Sequence, residues 1–242
     1  MKNNTFLKSI STTLLLASIS IVNAAEIPST FPQAKTKLYK SVSLNQGHTF
    51  YAGCHWNKKK VDLASCGLEN SFSSKAKKRA LRTEAEHIIP ASWLYKRNDK
   101  YRSCYVNAKA QKTSARKLCQ AEDSEYRDAH NDLVNLRPTV GAINAARSNK
   151  PFAESISGTK ETTYNGNGKR MIISSRVAIP DLSIRGDIAR VALYMQKTYG
   201  ATYSKRQLSL FIKWDTEDPI SDEEKSLADR INTIQGTTFL SQ

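Results

Sequence analysis

Only one stretch of this chain is apolar enough to enter a membrane, and it lies within the first 24 residues. Lys2 and Lys8 make its start positive, an apolar run continues to Val22, and the small residue Ala24 stands where a signal peptidase would cut. This order is typical of a cleaved secretory signal, and the run is shorter than the ~20 residues that span a bilayer. We predict a signal peptide over 1–24 and a periplasmic or secreted protein; a retained anchor helix is the alternative.

The rest of the chain, 25–242, is predicted to fold as a single domain. No second apolar run, internal repeat or linker rich in Pro, Gly or Ser interrupts it. Hydrophobic residues make up 39% of the sequence, which excludes a disordered chain, and the length allows one sizeable core. We expect this domain to be a monomer that makes no contact with a membrane after the signal is removed.

Four cysteines lie in this part of the chain: Cys54, Cys66, Cys104 and Cys119. An even number of cysteines in an exported chain indicates disulfides, and four cysteines can pair in three ways. Pairing of neighbours, Cys54 with Cys66 and Cys104 with Cys119, would close two loops. A zinc site is the alternative, but the sequence has no Cys-x-x-Cys pair to begin one.

The C-terminal third carries the clearest helix signals. Apolar residues recur at helical spacing from Ile188 to Met195, and Gly200 and Gly236 stand where two helices would end. Ser204 and Ser221 each precede a Gln or Glu by three residues, which is the spacing of a capping box. These signals predict three helices whose apolar faces pack in the core.

Strand signals are fewer and lie just before these helices. The segments 159–164 and 169–179 flank the turn sequence Asn165-Gly166-Asn167-Gly168, which predicts a hairpin, with a wide loop as the alternative. Several helices with a few strands that do not alternate with them regularly indicate an α+β fold.

Positive charge is concentrated in two segments of a chain whose formal net charge is +15. Residues 75–82 carry five Lys and Arg without an acid, and residues 96–117 carry eight with Asp99 as their single acid. Such a field attracts a polyanion, and the binding should weaken steeply with salt. Nucleic acid is the leading candidate for the partner. A solvated basic face, or attraction to another anionic surface, is the alternative.

The segment Glu84-Ala85-Glu86-His87 has residue types that suggest chemistry. In a strand, Glu84 and Glu86 point to one face and His87 to the other. A carboxylate can then hold a hard cation such as Mg²⁺, while an imidazole with a reference pKa of about 6.5 stays free as a base. This division suits phosphodiester hydrolysis, but a lone histidine in a strand is more often structural.

Four ordered blocks of sequence, 50–67, 84–91, 132–149 and 185–195, add to this motif. The second block looks like the signature Glu-Trp-Glu-His-Val-Val-Pro-Ala, and the third, around Asp132-Leu133-Val134-Asn135-Leu136, is similar to a metal-binding segment. Together the blocks resemble the endonuclease I family of exported bacterial nucleases. The resemblance implies a single α+β domain in which helices surround a ββα-metal (His-Me finger) core.

The resemblance also implies a role for each matching residue. Glu86 and Asn135 would bind one Mg²⁺ or another divalent cation, His87 would be the general base, Arg116 would hold the phosphate, and Glu84 would act through the metal's hydration shell. The implied substrate is DNA, with RNA as a second candidate, cut to 5′-phosphorylated oligonucleotides. Because we find no element that reads base edges, we expect cutting to be largely independent of sequence.

The chain departs from the family pattern around the metal. Ala85 replaces a Trp, Val134 replaces a His, His130 stands where a Glu is common, and Asn144-Ala145-Ala146-Arg147 replaces an Asn-Gly-Asp-Arg run. These changes bear on the outer hydration shell of the metal and leave the residues assigned to direct roles intact.

Three of these assignments have alternatives. Glu84 could be a surface carboxylate, Asn135 a turn or cap residue, and Arg102, Lys112 or Lys117 could bind phosphate in place of Arg116. Two other function classes compete with a nuclease. One is an exported polyanion binder without catalysis, and the other is a nuclease scaffold that has lost its activity.

Overall fold

The computed structural model describes residues 26–241. The predicted signal peptide over 1–24 lies outside the described residues. Within them, no helix combines the length and the apolar character needed to cross a membrane.

The N-terminal part of the described chain forms a short helix and a small sheet. Helix α1 (Phe31–Lys37) begins at Thr30, whose side chain accepts from the backbone N–H of Gln33 while the Gln33 side chain accepts from Thr30. A π-helical turn (Leu38–Val42) extends α1, and an antiparallel sheet follows with strand order β1-β2-β3. Its strands are β1 (Gln46–His48), β2 (His55–Asn57) and β3 (Lys60–Val61).

The two basic segments of the sequence lie in helices. The elements from residue 74 to residue 131 are α2 (Ser74–Ala80), β4 (Thr83–His87), α3 (Ala91–Arg97), α4 (Arg102–Ala110), α5 (Ala115–Glu122) and α6 (Ser124–Asn131). Disulfides join Cys54 to Cys66 and Cys104 to Cys119, which confirms the pairing of neighbours. The second disulfide fastens α4 to α5.

A ββα unit stands at the centre of the fold. Strand β4 pairs antiparallel with β5 (Leu136–Val140), with Thr83 opposite Val140 and His87 opposite Leu136. Helix α7 (Gly141–Arg147) follows β5 directly. A Cβ at Gly141 would lie 2.6 Å from the Arg79 carbonyl oxygen, so only glycine lets α7 begin this close to the turn before β4. This unit confirms the predicted core.

The predicted hairpin forms, with one difference in its second strand. Strands β6 (Glu161–Gly166) and β7 (Lys169–Ser174) pair across Asn167-Gly168, both of which have positive φ as a tight hairpin turn requires. The sequence predicted one strand over 169–179. Instead the Ser174 hydroxyl accepts from two backbone N–H groups, of Arg176 and Val177, and the resulting turn separates β7 from β8 (Ala178–Ile179).

Three helices complete the domain as predicted: α8 (Arg185–Tyr199), α9 (Lys205–Glu217) and α10 (Asp222–Gln235). Gly200 ends α8 and Gly236 ends α10, both in the left-handed conformation. The Ser204 and Ser221 side chains cap the N-termini of α9 and α10. The capping boxes are only half formed. The Gln207 side chain donates to Phe152 and the Glu224 carboxylate accepts from Arg190, so tertiary contacts take both reciprocal partners.

Candidate active site

A cavity of about 790 Å³, the site cavity, opens where β4 ends beside α7. Four of the five residues predicted from the sequence line it: Glu84, Glu86, His87 and Arg116. The fifth, Asn135, does not. The short strand β4 therefore brings two carboxylates and an imidazole to one opening, and an arginine from α5 faces them.

The geometry around His87 fixes which ring nitrogen can act as a base. Its Nε2 lies 2.9 Å from the carbonyl oxygen of His130. A carbonyl oxygen can only accept, so Nε2 carries the proton and donates, and the lone pair of a neutral ring lies on Nδ1. Phe31 stacks on the imidazole with ring centroids 5.2 Å apart, and the His130 ring packs 4.7 Å away. These contacts hold the plane of the ring.

The surroundings of His87 also favour its neutral form. Burial lowers the pKa of this imidazole well below its usual value, and the positive charges of Arg116 and Arg147 lower the pKa further. The hydrogen bond to the His130 carbonyl opposes these effects without reversing them. A neutral imidazole with an unprotonated nitrogen is the state that a general base needs.

Glu86 is buried, with 3% of its surface exposed, and one of its oxygens is fully engaged. Oε1 accepts from the Tyr51 hydroxyl at 2.9 Å and from the Arg147 guanidinium at 2.8 Å. Burial raises the pKa of this carboxyl, and Arg147 and Tyr51 oppose the rise by stabilising the charged form. Oε2 has no hydrogen-bond partner among residues 26–241, which leaves one oxygen for a ligand in the cavity.

Glu84 is held more firmly than a surface carboxylate would be. Arg79 binds it with two hydrogen bonds of 2.8 and 2.6 Å, and Arg82 adds one of 3.2 Å. The Asn144 amide donates to the same carboxylate at 3.1 Å. With both oxygens occupied by these donors, Glu84 orients Asn144, and its predicted role outside the first ligand sphere fits this position.

Asn135 requires a correction to the sequence-based assignment. Its Oδ1 accepts from the backbone N–H of Ile89 at 2.7 Å, and its Nδ2 donates to the Ile89 carbonyl at 2.9 Å. The residue has no exposed surface. Both polar atoms of this amide are thus bonded to the backbone outside the site cavity, and they fasten the start of β5 to the segment after β4.

Asn144 occupies the place that was predicted for Asn135. It lies on α7, lines the site cavity and uses Nδ2 to donate to Glu84, which leaves its Oδ1 without a partner among the described residues. Both asparagines belong to the same sequence block, 132–149. The feature that distinguishes Asn144 is its position on α7, the helix that follows β5. The sequence alone did not tell which of the two amides is tied to the backbone.

Arg116 reaches the cavity from the first turn of α5, in the second of the two basic segments. Its guanidinium makes no hydrogen bond or ion pair with residues 26–241, and the side chain is exposed. The disulfide at Cys119 lies three residues further on, within α5, and fixes this helix to α4. The competing candidates Arg102, Lys112 and Lys117 do not line the cavity.

The site cavity carries more positive than negative charge. Five cationic side chains line it: Lys35, Lys59, Arg79, Arg82 and Arg116. Two carboxylates, Glu84 and Glu86, line it as well, and each is already paired with an arginine. The remaining cations favour an anionic ligand such as a phosphate.

The oxygen atoms in the cavity suit a hard divalent cation. Glu86 Oε2 and Asn144 Oδ1 are a carboxylate and an amide oxygen, and both lack partners among the described residues. Mg²⁺ is usually held by one or two protein carboxylates together with waters and phosphate oxygens. Among residues 26–241 no cluster of three or more His, Cys, Asp or Glu side chains could enclose a metal. The donor set therefore fits a cation that shares its ligands with substrate and water.

His130 packs behind His87 and is fully buried. Its Nδ1 is bonded to Asn131 at 3.0 Å, and its Nε2 has no partner among the described residues. Burial lowers the pKa of His130 to about 4. The ring is therefore neutral in the folded protein over the whole range in which a histidine of the unfolded chain, with a pKa of about 6.5, takes up a proton.

This difference predicts a loss of stability in acid. Below pH ~6.5 the unfolded chain binds a proton that the folded chain does not, so the free energy of unfolding falls as the pH falls towards the folded pKa. Between about pH 7.5 and about pH 5, His130 contributes a loss of about 2 kcal/mol. In urea unfolding at both pH values, the fall in the free energy of unfolding on acidification should therefore be about 2 kcal/mol smaller in His130→Gln than in the parent. The exposed His48→Gln serves as control, and equal acid losses in His130→Gln and the parent would contradict this account.

A neutral imidazole, two free oxygen donors and a ring of cations on a ββα core define a phosphodiester-cleaving enzyme, a nuclease. The Endonuclease I family model matches residues 30–238, and the chain belongs to this family. The sequence is 33% identical over 235 residues to an extracellular deoxyribonuclease of Aeromonas hydrophila, covering 92% of this chain and 94% of that protein.

Two further relatives cover similar shares of the chain. A periplasmic deoxyribonuclease of Aeromonas hydrophila is 31% identical over 244 residues, covering 96% of this chain and 92% of the relative. Endonuclease-1 of Buchnera aphidicola subsp. Acyrthosiphon pisum (strain APS) is 32% identical over 210 residues, covering 85% and 77%. The family recognised from four sequence blocks is thus confirmed over nearly the whole described chain.

Proposed function

We propose that this chain is an exported, Mg²⁺-dependent endonuclease that hydrolyses the phosphodiesters of DNA to 5′-phosphorylated oligonucleotides, with RNA as a second candidate substrate. The observation that carries the proposal is His87: its Nε2 is fixed by the His130 carbonyl, and its Nδ1 is free in a cation-lined cavity beside Glu86 and Asn144. The names of the relatives support DNA as the substrate, since two of them are deoxyribonucleases.

In this proposal His87 removes a proton from the attacking water. The lone pair on Nδ1 accepts that proton, and the imidazolium that forms is stabilised by the Nε2 hydrogen bond to the His130 carbonyl. Phe31 keeps the ring from turning away. Because the pKa of His87 is lowered, the base is ready in its neutral form at neutral pH.

Arg116 binds the phosphate that is to be cut. An exposed guanidinium without a carboxylate partner is free to form two parallel hydrogen bonds to phosphate oxygens, and its charge stabilises the negative charge that grows in the transition state. Glu86 and Asn144 would hold the cation through Oε2 and Oδ1, with Glu84 orienting the Asn144 amide. When bound there, Mg²⁺ would neutralise charge on the phosphate and on the leaving oxygen.

Substrate scope follows from what the cavity offers. Its cations contact phosphate, which carries no sequence information directly, so we propose cutting that is largely independent of sequence. We also propose that the protein is a monomer and that export leads it to the periplasm or the medium, as the N-terminal sequence and the periplasmic and extracellular relatives indicate.

A plasmid digestion with and without EDTA tests the proposed function. We expect purified protein lacking 1–24 to nick supercoiled DNA in Mg²⁺, and EDTA to slow the nicking at least ~10-fold because the phosphate charge is no longer neutralised. Excess Mg²⁺ should restore the rate. Nicking that EDTA does not affect would remove the cation from the mechanism, and no nicking with any divalent cation would identify a scaffold without activity.

The two asparagines give a second prediction with opposite outcomes. Asn144→Ala should raise the Mg²⁺ concentration for half-maximal cleavage about 10-fold, because an oxygen ligand is lost, and should change stability by less than about 1 kcal/mol. Asn135→Ala should leave the Mg²⁺ requirement unchanged but lower the free energy of unfolding by about 2 kcal/mol, since the Ile89 N–H and carbonyl lose their partner. A Mg²⁺ titration and urea unfolding of both variants measure this, and an altered Mg²⁺ requirement in Asn135→Ala alone would reinstate Asn135 as a ligand.

A further inference from the structure

A second cavity of about 910 Å³, the distal cavity, lies at the other end of α3. Its walls come from the segment 151–155, the loop before α9, and α9 itself. They are mainly apolar, with Pro151, Phe152, Ala153, Tyr203 and Leu210 among the lining residues. Three cationic side chains line it, Arg97, Arg206 and Lys213, together with one carboxylate, Glu154. The cavity thus combines a surface for a flat apolar group with charges for an anion.

Two segments of the chain run from the site cavity to the distal cavity. Ala91 at the start of α3 lines the site cavity and Arg97 at its end lines the distal cavity, a helical distance of ~9 Å. In the segment after α7, Asn149 lines the site cavity and Pro151 lines the distal cavity. Trp93 lies between the two cavities and donates from its indole N–H to the Asn149 carbonyl.

The positive charges of the distal cavity are available to a ligand. Arg97 stacks its guanidinium 3.8 Å above the Trp93 ring and forms no ion pair with residues 26–241. Arg206 is exposed and is likewise without a carboxylate partner among the described residues. Lys213 differs, because Glu154 and Glu217 already pair with it. Two free arginines therefore face a cavity whose wall carries the partly exposed ring of Tyr203.

A nucleotide has the two parts that these features recognise. Its base stacks on aromatic and apolar side chains regardless of sequence, and its phosphate pairs with arginine. Both cavities border α3, so a strand whose phosphate lies beside His87 can continue along this helix to the distal cavity. A paired base is held inside the duplex and cannot enter such a pocket, whereas an unpaired base can.

We propose that the distal cavity is a subsite for an unpaired nucleotide of the substrate strand, a few positions away from the phosphate that is cut. Its base stacks against Tyr203 and Leu210, and its phosphate is held by Arg97 and Arg206. The inference rests on the proposed function and extends it, because it assigns single-stranded nucleic acid a second contact that duplex DNA lacks.

Binding to a variant with strongly reduced cleavage tests this subsite separately from catalysis. The probes are a fluorescent octathymidylate, a fluorescent dinucleotide of thymidine and a fluorescent duplex, and the parent is His87→Ala. Leu210→Trp, which fills the cavity, and Arg206→Glu, which reverses a lining charge, are added singly. Lys225→Glu on α10 is the matched charge control, since Lys225 lines neither cavity. Thermal unfolding confirms that each variant folds.

We expect the octathymidylate Kd to rise about 10-fold in both cavity variants, because stacking and phosphate pairing at one nucleotide are lost. The dinucleotide Kd should stay unchanged in Leu210→Trp, since this probe is too short to reach the distal cavity. The duplex Kd should change no more in Arg206→Glu than in Lys225→Glu. Unchanged octathymidylate binding in Leu210→Trp, or equal effects of both glutamate variants on this probe, would overturn the subsite. Failure of the proposed function would appear instead as a wild-type protein that does not cut DNA.

Discussion

Replacing His87 with alanine should lower kcat for DNA cleavage by at least ~10²-fold, the lower end of what a general base contributes. The imidazole has its Nε2 proton committed to the His130 carbonyl, so Nδ1 is the atom that can accept a proton from water. Alanine removes that acceptor, and no other histidine lines the site cavity to replace it. Plasmid nicking in saturating Mg²⁺ measures the rate.

DNA binding by His87→Ala should remain close to that of the wild type. The five cations that line the site cavity are unchanged, and phosphate contacts of this kind supply most of the affinity for nucleic acid. His48→Ala is the matched control, because His48 lies in β1 against His55 and outside the site cavity. Near-normal cleavage by His87→Ala, or an equal loss in His48→Ala, would refute the role given to His87.

Replacing Arg147 with methionine should lower the free energy of unfolding by about 3–5 kcal/mol. Its guanidinium is fully buried and donates to Glu86 Oε1, to the His87 carbonyl at 2.7 Å and to the Ile88 carbonyl at 2.6 Å. Methionine fills the space but satisfies none of these acceptors. The buried carboxylate of Glu86 would then keep Tyr51 as its remaining partner.

A double variant separates the ion pair from the packing. Glu86→Leu combined with Arg147→Met leaves no buried charge, so it should be more stable than Arg147→Met alone, although the two carbonyl groups remain without a donor. Arg147→Lys keeps the charge but places its donors on one nitrogen, whereas the guanidinium reaches these acceptors from two, so we expect an intermediate loss. Urea unfolding measures all three. A loss below about 1 kcal/mol in Arg147→Met would show that the guanidinium is not needed to hold Glu86.

The parts of the fold that local chemistry determines could be predicted from the sequence. The ends of α8, α9 and α10 follow from glycines and capping serines, because each such residue satisfies backbone groups next to it in the chain. The pairing of neighbouring cysteines and the turn at Asn167-Gly168 are local in the same sense. The cluster of Glu84, Glu86 and His87 is also local, since one strand carries all three.

The parts that depend on distant partners could not be predicted. Asn135 and Asn144 are the same residue type in one sequence block, and only the tertiary bond to Ile89 removes the first from the cavity. The contacts of Tyr51 and Arg147 with Glu86 join residues 35 and 61 positions apart. The distal cavity combines α3, the segment 151–155 and α9, and no spacing within the sequence relates these three segments.

The pairing of β4 with β5 has a consequence for how the protein is made. Their junction is closed by Asn135 and Ile89, which are 46 positions apart, so α3 to α6 must be synthesised and gathered before the two strands can meet. Contacts of this range form late, because a long loop must close before they stabilise anything. An unfinished chain therefore carries the imidazole of His87 without the carbonyl of His130 that orients it. The site cavity therefore forms only after the chain has been made at least as far as α7.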